Sequence, residues 1–194
     1  MDDYVARPAD QLDFLRRGGM VQRFHTHPRI KPEDDAQHTF GVVCMLYVLT
    51  KGNVGTDLIW ACQFHDSAEH EVGDVPAPTK RKLGPAFTKM WNDAEDAELE
   101  RVGLKFDLTP RDYDILKACD VMDGVFSCLE ELERGNKLTA TVPFRNFYRY
   151  GRELVDKCAK LATEHNHDVP EWVYRAVILL NSAQYRANIT GVTV

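Results

Sequence analysis

Between Gln63 and Asp74 the chain reads QFHDSAEHEVGD, with two histidines, two aspartates and two glutamates directly behind the apolar run DLIWAC. Carboxylates and imidazoles lose hydration free energy when they leave water, so their concentration beside an apolar segment calls for a compensating partner, such as a metal ion. On a helix Glu69 lies one turn beyond the adjacent His65 and Asp66, while neighbouring side chains point about 100 degrees apart. His65 and Asp66 reach one ion only if that helix edge faces a cavity and other elements supply further ligands. His38, on the preceding predicted helix, and an aspartate on a later one, Asp120 or Asp123, are the candidates. Two imidazoles with two carboxylates suit a borderline divalent ion such as cobalt, manganese or zinc. Such an ion activates water near neutral pH, and Glu69, close to the ligands without being needed as one, can carry the proton. Against this stands the ordinary reading of a helical histidine as a hydrogen-bonded core residue.

The elements that must position these groups are helices. Apolar residues recur at three- and four-residue spacing, and strictly alternating stretches are scarce. Helices are predicted from Ala9 to Arg17, from Asp34 or Asp35 to Lys51, and from Thr56 through the cluster to Gly73. Further helices follow from Pro85 to Val102, Thr109 to Arg134, Pro143 to Glu164 and Pro170 to Ala187. Glycines close several of them and prolines open others. RFHTHPRIKPEDD and GDVPAPTK are expected to be loops, and Lys80, Arg81 and Lys82 a solvated loop run. The 194 residues show no composition break, so a single all-α unit spanning 1–194 is expected, with a motif core at about 20–136 and C-terminal helices at about 143–187 packing on it.

A net charge of −6 argues against nucleic-acid polymers and anionic membranes as partners. No apolar run approaches membrane-spanning length, and the acidic start MDDYVARPAD is unlike a secretory signal, so a cytoplasmic setting is expected. The five cysteines form no CxxC pair and are expected to be buried thiols. Trp60, Trp91 and Trp172 are expected to be packing anchors, and His70 and Glu71 to sit on a helix exterior. His25 and His27 are expected at a solvent or substrate rim, and His165 and His167 at a polar helix end.

AQHTF at 36–40, FHDSAEHEVGDVPAPTK at 64–80 and KACDVMDGVFSCLEELERGN at 117–136 occur in an order and spacing that resemble the HD-domain phosphohydrolases of the 5′-deoxynucleotidase type. The similarity covers roughly residues 10–140 and implies a compact helical bundle that hydrolyses the 5′-phosphoester of a deoxynucleotide. It implies His38, His65, Asp66 and Asp120 as metal ligands and Glu69 as the proton carrier. It also implies Arg23 and Lys80 at the phosphate, Phe24 at the base and Asp74 at the sugar 3′-hydroxyl. Phe24 and Gln37 stand where the family usually has tryptophan and glutamate, which bears on base preference more than on reaction class. A homodimer or higher homo-oligomer is expected. Two alternatives stay open: a phage-type triphosphohydrolase releasing triphosphate from dATP, with Lys80, Arg81 and Lys82 neutralising the extra phosphates, and a metal-dependent nucleotide-binding module without turnover.

Overall fold

The computed structural model describes residues 7–165 and 167–194; among them there are nine helices and no strand beyond one isolated antiparallel bridge, Gln22 with Asp34. The helices are α1 (Pro8–Gly18), α2 (Asp35–Thr50), α3 (Thr56–Phe64), α4 (Glu69–Val72), α5 (Ala77–Leu83), α6 (Pro85–Arg101), α7 (Pro110–Glu133), α8 (Lys137–Glu164) and α9 (Glu171–Ile189). The all-α expectation holds. Among the described residues no helix is long and apolar enough to cross a membrane.

Helix α7 is the axis on which the rest is assembled. Thr109 and Asp112 close a reciprocal capping box at its start. Beyond it Ile115, Ala118, Cys119, Met122, Val125, Cys128, Leu129 and Leu132 are buried in a core shared with α2, α3, α8 and α9. Such burial around much of its circumference is what its many apolar positions dictate. Helix α2 starts where the Asp34 carboxylate accepts the Gln37 N–H at 2.9 Å, and it presents His38, Val42, Leu46 and Leu49 to α7 and α3. The placement of α2 beside α7 brings the histidine of one to the aspartates of the other. A smaller core of Phe14, Ala68, Leu99 and Val102 ties α1 and α6 to the segment after α3.

Several local expectations are corrected. The predicted helix from Thr56 to Gly73 ends at Phe64, and His65–Ala68 form a tight turn before α4. The turn is held by i→i−3 bonds from Ser67 to Phe64 and from Glu69 to Asp66. Gly18 presses on it so closely that a Cβ there would lie 2.6 Å from the Ser67 carbonyl oxygen. Residues 77–83, expected as loop, form α5, because Pro78 falls in its first turn where no intrahelical N–H is required. Helix α8 begins at Lys137 rather than Pro143, which sits buried inside it and removes only the bond to the Thr139 carbonyl. His70 is not exterior: its side chain is buried against the Phe14 ring edge, centroids 4.6 Å apart, with Nδ1 2.7 Å from the Ser67 carbonyl. Glu71, by contrast, reaches Arg17 at the surface. Trp172 is buried as expected, but Trp60 is half exposed and stacked on Phe64, and Cys44 is the exposed one of the five thiols.

Candidate metal centre

The turn after α3 delivers His65 and Asp66 to the face of α2 that carries His38 and the face of α7 that carries Asp120. One ligand atom each from His38, His65 and Asp120 falls within 4.8 Å of the other two. Asp66 joins them, with one carboxylate oxygen 3.5 Å from His38 Nε2 and the other 3.3 Å from His65 Nε2. His38 Nε2 is also 3.4 Å from Asp120. His65 Nδ1 lies 3.1 Å from the Cys62 carbonyl, so that nitrogen donates and Nε2 keeps its lone pair. Both Nε2 atoms are buried and lack a hydrogen-bond partner. Two orphaned imidazole nitrogens facing two carboxylates are a donor set for a divalent cation, and the residues fit one.

Asp120 and Asp123 meet different ring nitrogens of His38. Asp123 meets His38 on the other side, its carboxylate 2.7 Å from Nδ1, while Asp120 faces Nε2 and His65.

The electrostatics are those of a site with excess negative charge. Burial and Arg23 press the His38 pKa down, but the Asp120, Asp123 and Asp66 carboxylates outweigh them and raise it to about 9. Burial, joined by the His38 and Arg23 charges, pushes His65 below its ordinary value against the pull of Asp66 and Asp120. Burial opposes ionisation of Asp120, yet Lys117, His38 and His65 hold it well below the carboxylate range. Asp66 is held low against its burial by His65, Arg23 and His38. Glu69, half-buried and ringed by Asp66, Asp35 and Asp74, is pushed up to about 10, and Asp35, buried beside Asp66, to about 7. Arg23 supplies a compensating charge: its guanidinium lies 2.8 Å from Asp66, 3.3 Å from Asp35 and 3.5 Å from Glu33.

The remaining predicted residues divide. Glu69 lies with Asp35 and Asp66, and one of its oxygens is buried without a partner. Asp74 is 3.2 Å from His25, which is about half exposed, a rim placement as expected. His27 meets Thr26, and neither histidine enters a metal-capable group among the described residues. Phe24 takes a positive φ of 54°, edge-on to Phe147, with the Arg29 guanidinium 4.4 Å over its ring. Gln37 is exposed in the first turn of α2. Lys80 is instead 3.0 Å from Glu95, so the predicted phosphate lysine is neutralised by a partner on α6. Three participants were not anticipated: Asp35, Glu33 and Lys117, whose Nζ is 2.6 Å from Asp120. The readable signal was spacing, since Asp35 and Lys117 each stand one turn ahead of a ligand candidate.

The loop bearing Arg23 and Phe24 is fixed from beneath by Glu131 of α7. Its buried carboxylate accepts the Ile30 N–H at 2.7 Å, the Lys31 N–H at 3.0 Å and the Asn136 amide at 2.7 Å. Burial opposes ionisation, but these three donors hold the carboxyl below its usual pKa. A depressed carboxylate stabilises above its unfolded pKa and loses that contribution as pH falls through the folded one. Glu131→Gln is therefore expected to cost about 1–3 kcal/mol at pH 7. The difference from wild type should shrink toward zero as pH falls through the depressed carboxyl's own pKa, and denaturant titrations at neutral and at acid pH check it.

Residues 9–102 match the HD domain family. Over that stretch the chain is similar to an HD domain. The match includes His38, His65, Asp66 and Glu69, while Asp120 and Asp123 lie on α7 beyond it. The chain is 26% identical over 144 residues to a 5′-deoxynucleotidase of Vibrio parahaemolyticus and 27% identical over 144 residues to one of Photobacterium profundum. Each alignment covers 63% of this chain and 74% of the relative. The fold matches that of a cyanophage S-2L HD phosphohydrolase, DatZ, bound to dA and one catalytic Zn2+ ion. That likeness has a TM-score of 0.62 at 18% identity and covers 92% of this chain and 96% of the other.

Proposed function

We propose that this HD domain is a divalent-metal-dependent 5′-deoxynucleotidase, releasing phosphate and a deoxynucleoside from a deoxynucleoside monophosphate. The observation that carries it is the His38–His65–Asp66–Asp120 pocket, with its two orphaned Nε2 atoms, in a chain similar to two 5′-deoxynucleotidases. These four residues would hold the ion, cobalt, manganese or zinc by donor type. A divalent ion so held lowers the pKa of water and draws charge from a phosphoryl oxygen.

The chain's own residues do the rest. Arg23, hydrogen-bonded to Asp66 at the edge of the ligand set, orients the phosphate by a forked contact. Glu69, half-buried one turn past Asp66 with one buried oxygen free, carries the proton to the leaving 5′-oxygen. Asp74, oriented by His25, accepts from the sugar 3′-hydroxyl. Phe24, locked between Phe147 and Arg29, offers a ring edge or face to the base. Lys80 adds positive charge only after leaving Glu95.

Phosphate number is tested by the products. A monophosphatase yields inorganic phosphate from dAMP and leaves AMP largely uncleaved, because a site built around deoxyribose rejects the extra hydroxyl. Replacing Arg81 and Lys82 by Ala should change that rate less than about twofold, since exposed charges are screened. Arg81 is, moreover, stacked 4.2 Å over the Tyr150 ring. Triphosphate as the sole inorganic product from dATP, with dAMP inert, would instead establish the triphosphohydrolase reading. Bound nucleotide without either product would establish a binding module.

Helix α9 leaves Tyr174, Ile178, Tyr185 and Ile189 exposed along one face, and this apolar strip supports a homodimer, which sedimentation equilibrium reads directly. Deoxynucleotides are soluble metabolites, so the cytoplasm is the proposed compartment.

A further inference from the structure

We propose that Asp123 is the positioning residue of the metal centre: by accepting the His38 Nδ1–H it fixes the ring so that Nε2 faces the ion. The inference rests on the reading of His38 as a ligand. His38 is buried on α2 with its side chain fully enclosed, and its two ring nitrogens face two different aspartates of α7. Asp123 stands 2.7 Å from Nδ1; Asp120 stands 3.4 Å from Nε2, on the side shared with His65 and Asp66. A neutral imidazole that donates from one nitrogen, the form that binds a metal, offers its lone pair from the other. The spacing of three residues on α7 brings both carboxylates to one edge of the helix, so the same element can place an acceptor behind the ring and a ligand before it.

Room for Asp123 is made on α2. A Cβ on Gly41 would lie 2.0 Å from Asp123 Oδ1 and 2.8 Å from its Cγ. Glycine in the middle of a helix costs roughly 0.5–1 kcal/mol relative to alanine, so this position gives up helix stability where the carboxylate must pass. Glu33, His38 and Asp123 also lie within metal-ligating distance of one another. Glu33, however, is already compensated by Arg23 at 3.5 Å, Arg29 at 3.3 Å and the Ser127 hydroxyl. The pair on Nδ1 is therefore a hydrogen bond that aims the ring and not a second ion site.

The test measures affinity of the folded protein for Zn2+ by competition with a chromophoric chelator, with helicity recorded by circular dichroism. Asp123→Ala is expected to weaken Zn2+ binding about 10–100-fold, the scale for losing the partner of a ligating histidine. Asp123→Asn, whose amide oxygen still accepts from Nδ1, should recover most of that loss. Gly41→Ala leaves Asp123 in the sequence but drives it from the ring, and should weaken binding as far as Asp123→Ala without loss of helix. It carries the test independently where Asp123→Ala fails to fold. Wild-type affinity in Gly41→Ala or Asp123→Ala, or an Asp123→Asn variant as weak as the alanine one, overturns the proposal. His38→Ala separates the premises: if it loses Zn2+ while those variants do not, the ligand reading stands and only the role of Asp123 falls. If it binds Zn2+ like the wild type, the ligand reading itself falls.

Discussion

Metal-free His65→Ala is expected to be at least as stable as the metal-free wild type, to gain nothing from added divalent ion, and to have no turnover. In the metal-free protein His65 Nε2 is buried without a partner, a situation that costs about 1–3 kcal/mol. Alanine removes that cost together with the single Nδ1 bond to the Cys62 carbonyl, worth about 1 kcal/mol. The balance falls near zero or in favour of the variant. Wild type behaves differently once ion is present, because a ligand that binds only the folded state stabilises it by mass action. At 100 times Kd the gain is about 2.7 kcal/mol, which for a chain of this size raises Tm by roughly 5–10 °C. Thermal melts with and without Zn2+ measure both halves. Asp66→Ala should likewise abolish the metal-dependent shift, and it should still fold, because Arg23 retains Asp35 and Glu33 as counter-charges. A His65→Ala protein that still takes up one ion per chain with unchanged Kd removes His65 from the ligand set.

The long helices were legible because their apolar period is strong and their ends carry local signals, as at Thr109 and Asp112 of α7. Where sequence reading failed, tertiary contacts had decided the matter. The break after Phe64 depends on Gly18 pressing against Ser67 and on Arg23 pulling Asp66, contacts between segments roughly fifty residues apart, and nothing in QFHDSAEH itself announces it. The burial of His70 has the same origin in Phe14. Asp120 and Asp123 share a helix edge, so periodicity could not separate them; the two nitrogens of the intervening His38 ring do. The resemblance supplied His38, His65, Asp66 and Asp120 as a set, and the structure brings the four together. It also supplied Lys80, whose pairing with Glu95 on another helix no local pattern could reveal.

Glu69→Gln is expected to bind the ion with wild-type affinity and lose on the order of 100-fold or more in kcat, the usual scale for a missing general acid or base. Its carboxylate groups with Asp35 and Asp66 rather than with the imidazoles, and one oxygen stays buried and unpaired after all its neighbours are counted. A ligand would be drawn to the His38–His65–Asp120 side; a proton carrier needs an oxygen free to meet the substrate. Burial and the surrounding acids raise its affinity for a proton in the metal-free site, so the carboxyl gives up water reluctantly there only in its charged form. Glutamine keeps the shape and removes the exchangeable proton, which isolates the chemical step from packing. Single-turnover rates measured beside Zn2+ affinity separate the roles: slow turnover with intact binding assigns the proton to Glu69. Loss of Zn2+ in step with loss of rate would make Glu69 a ligand and leave the proton carrier to be sought elsewhere among Asp35 and Asp74.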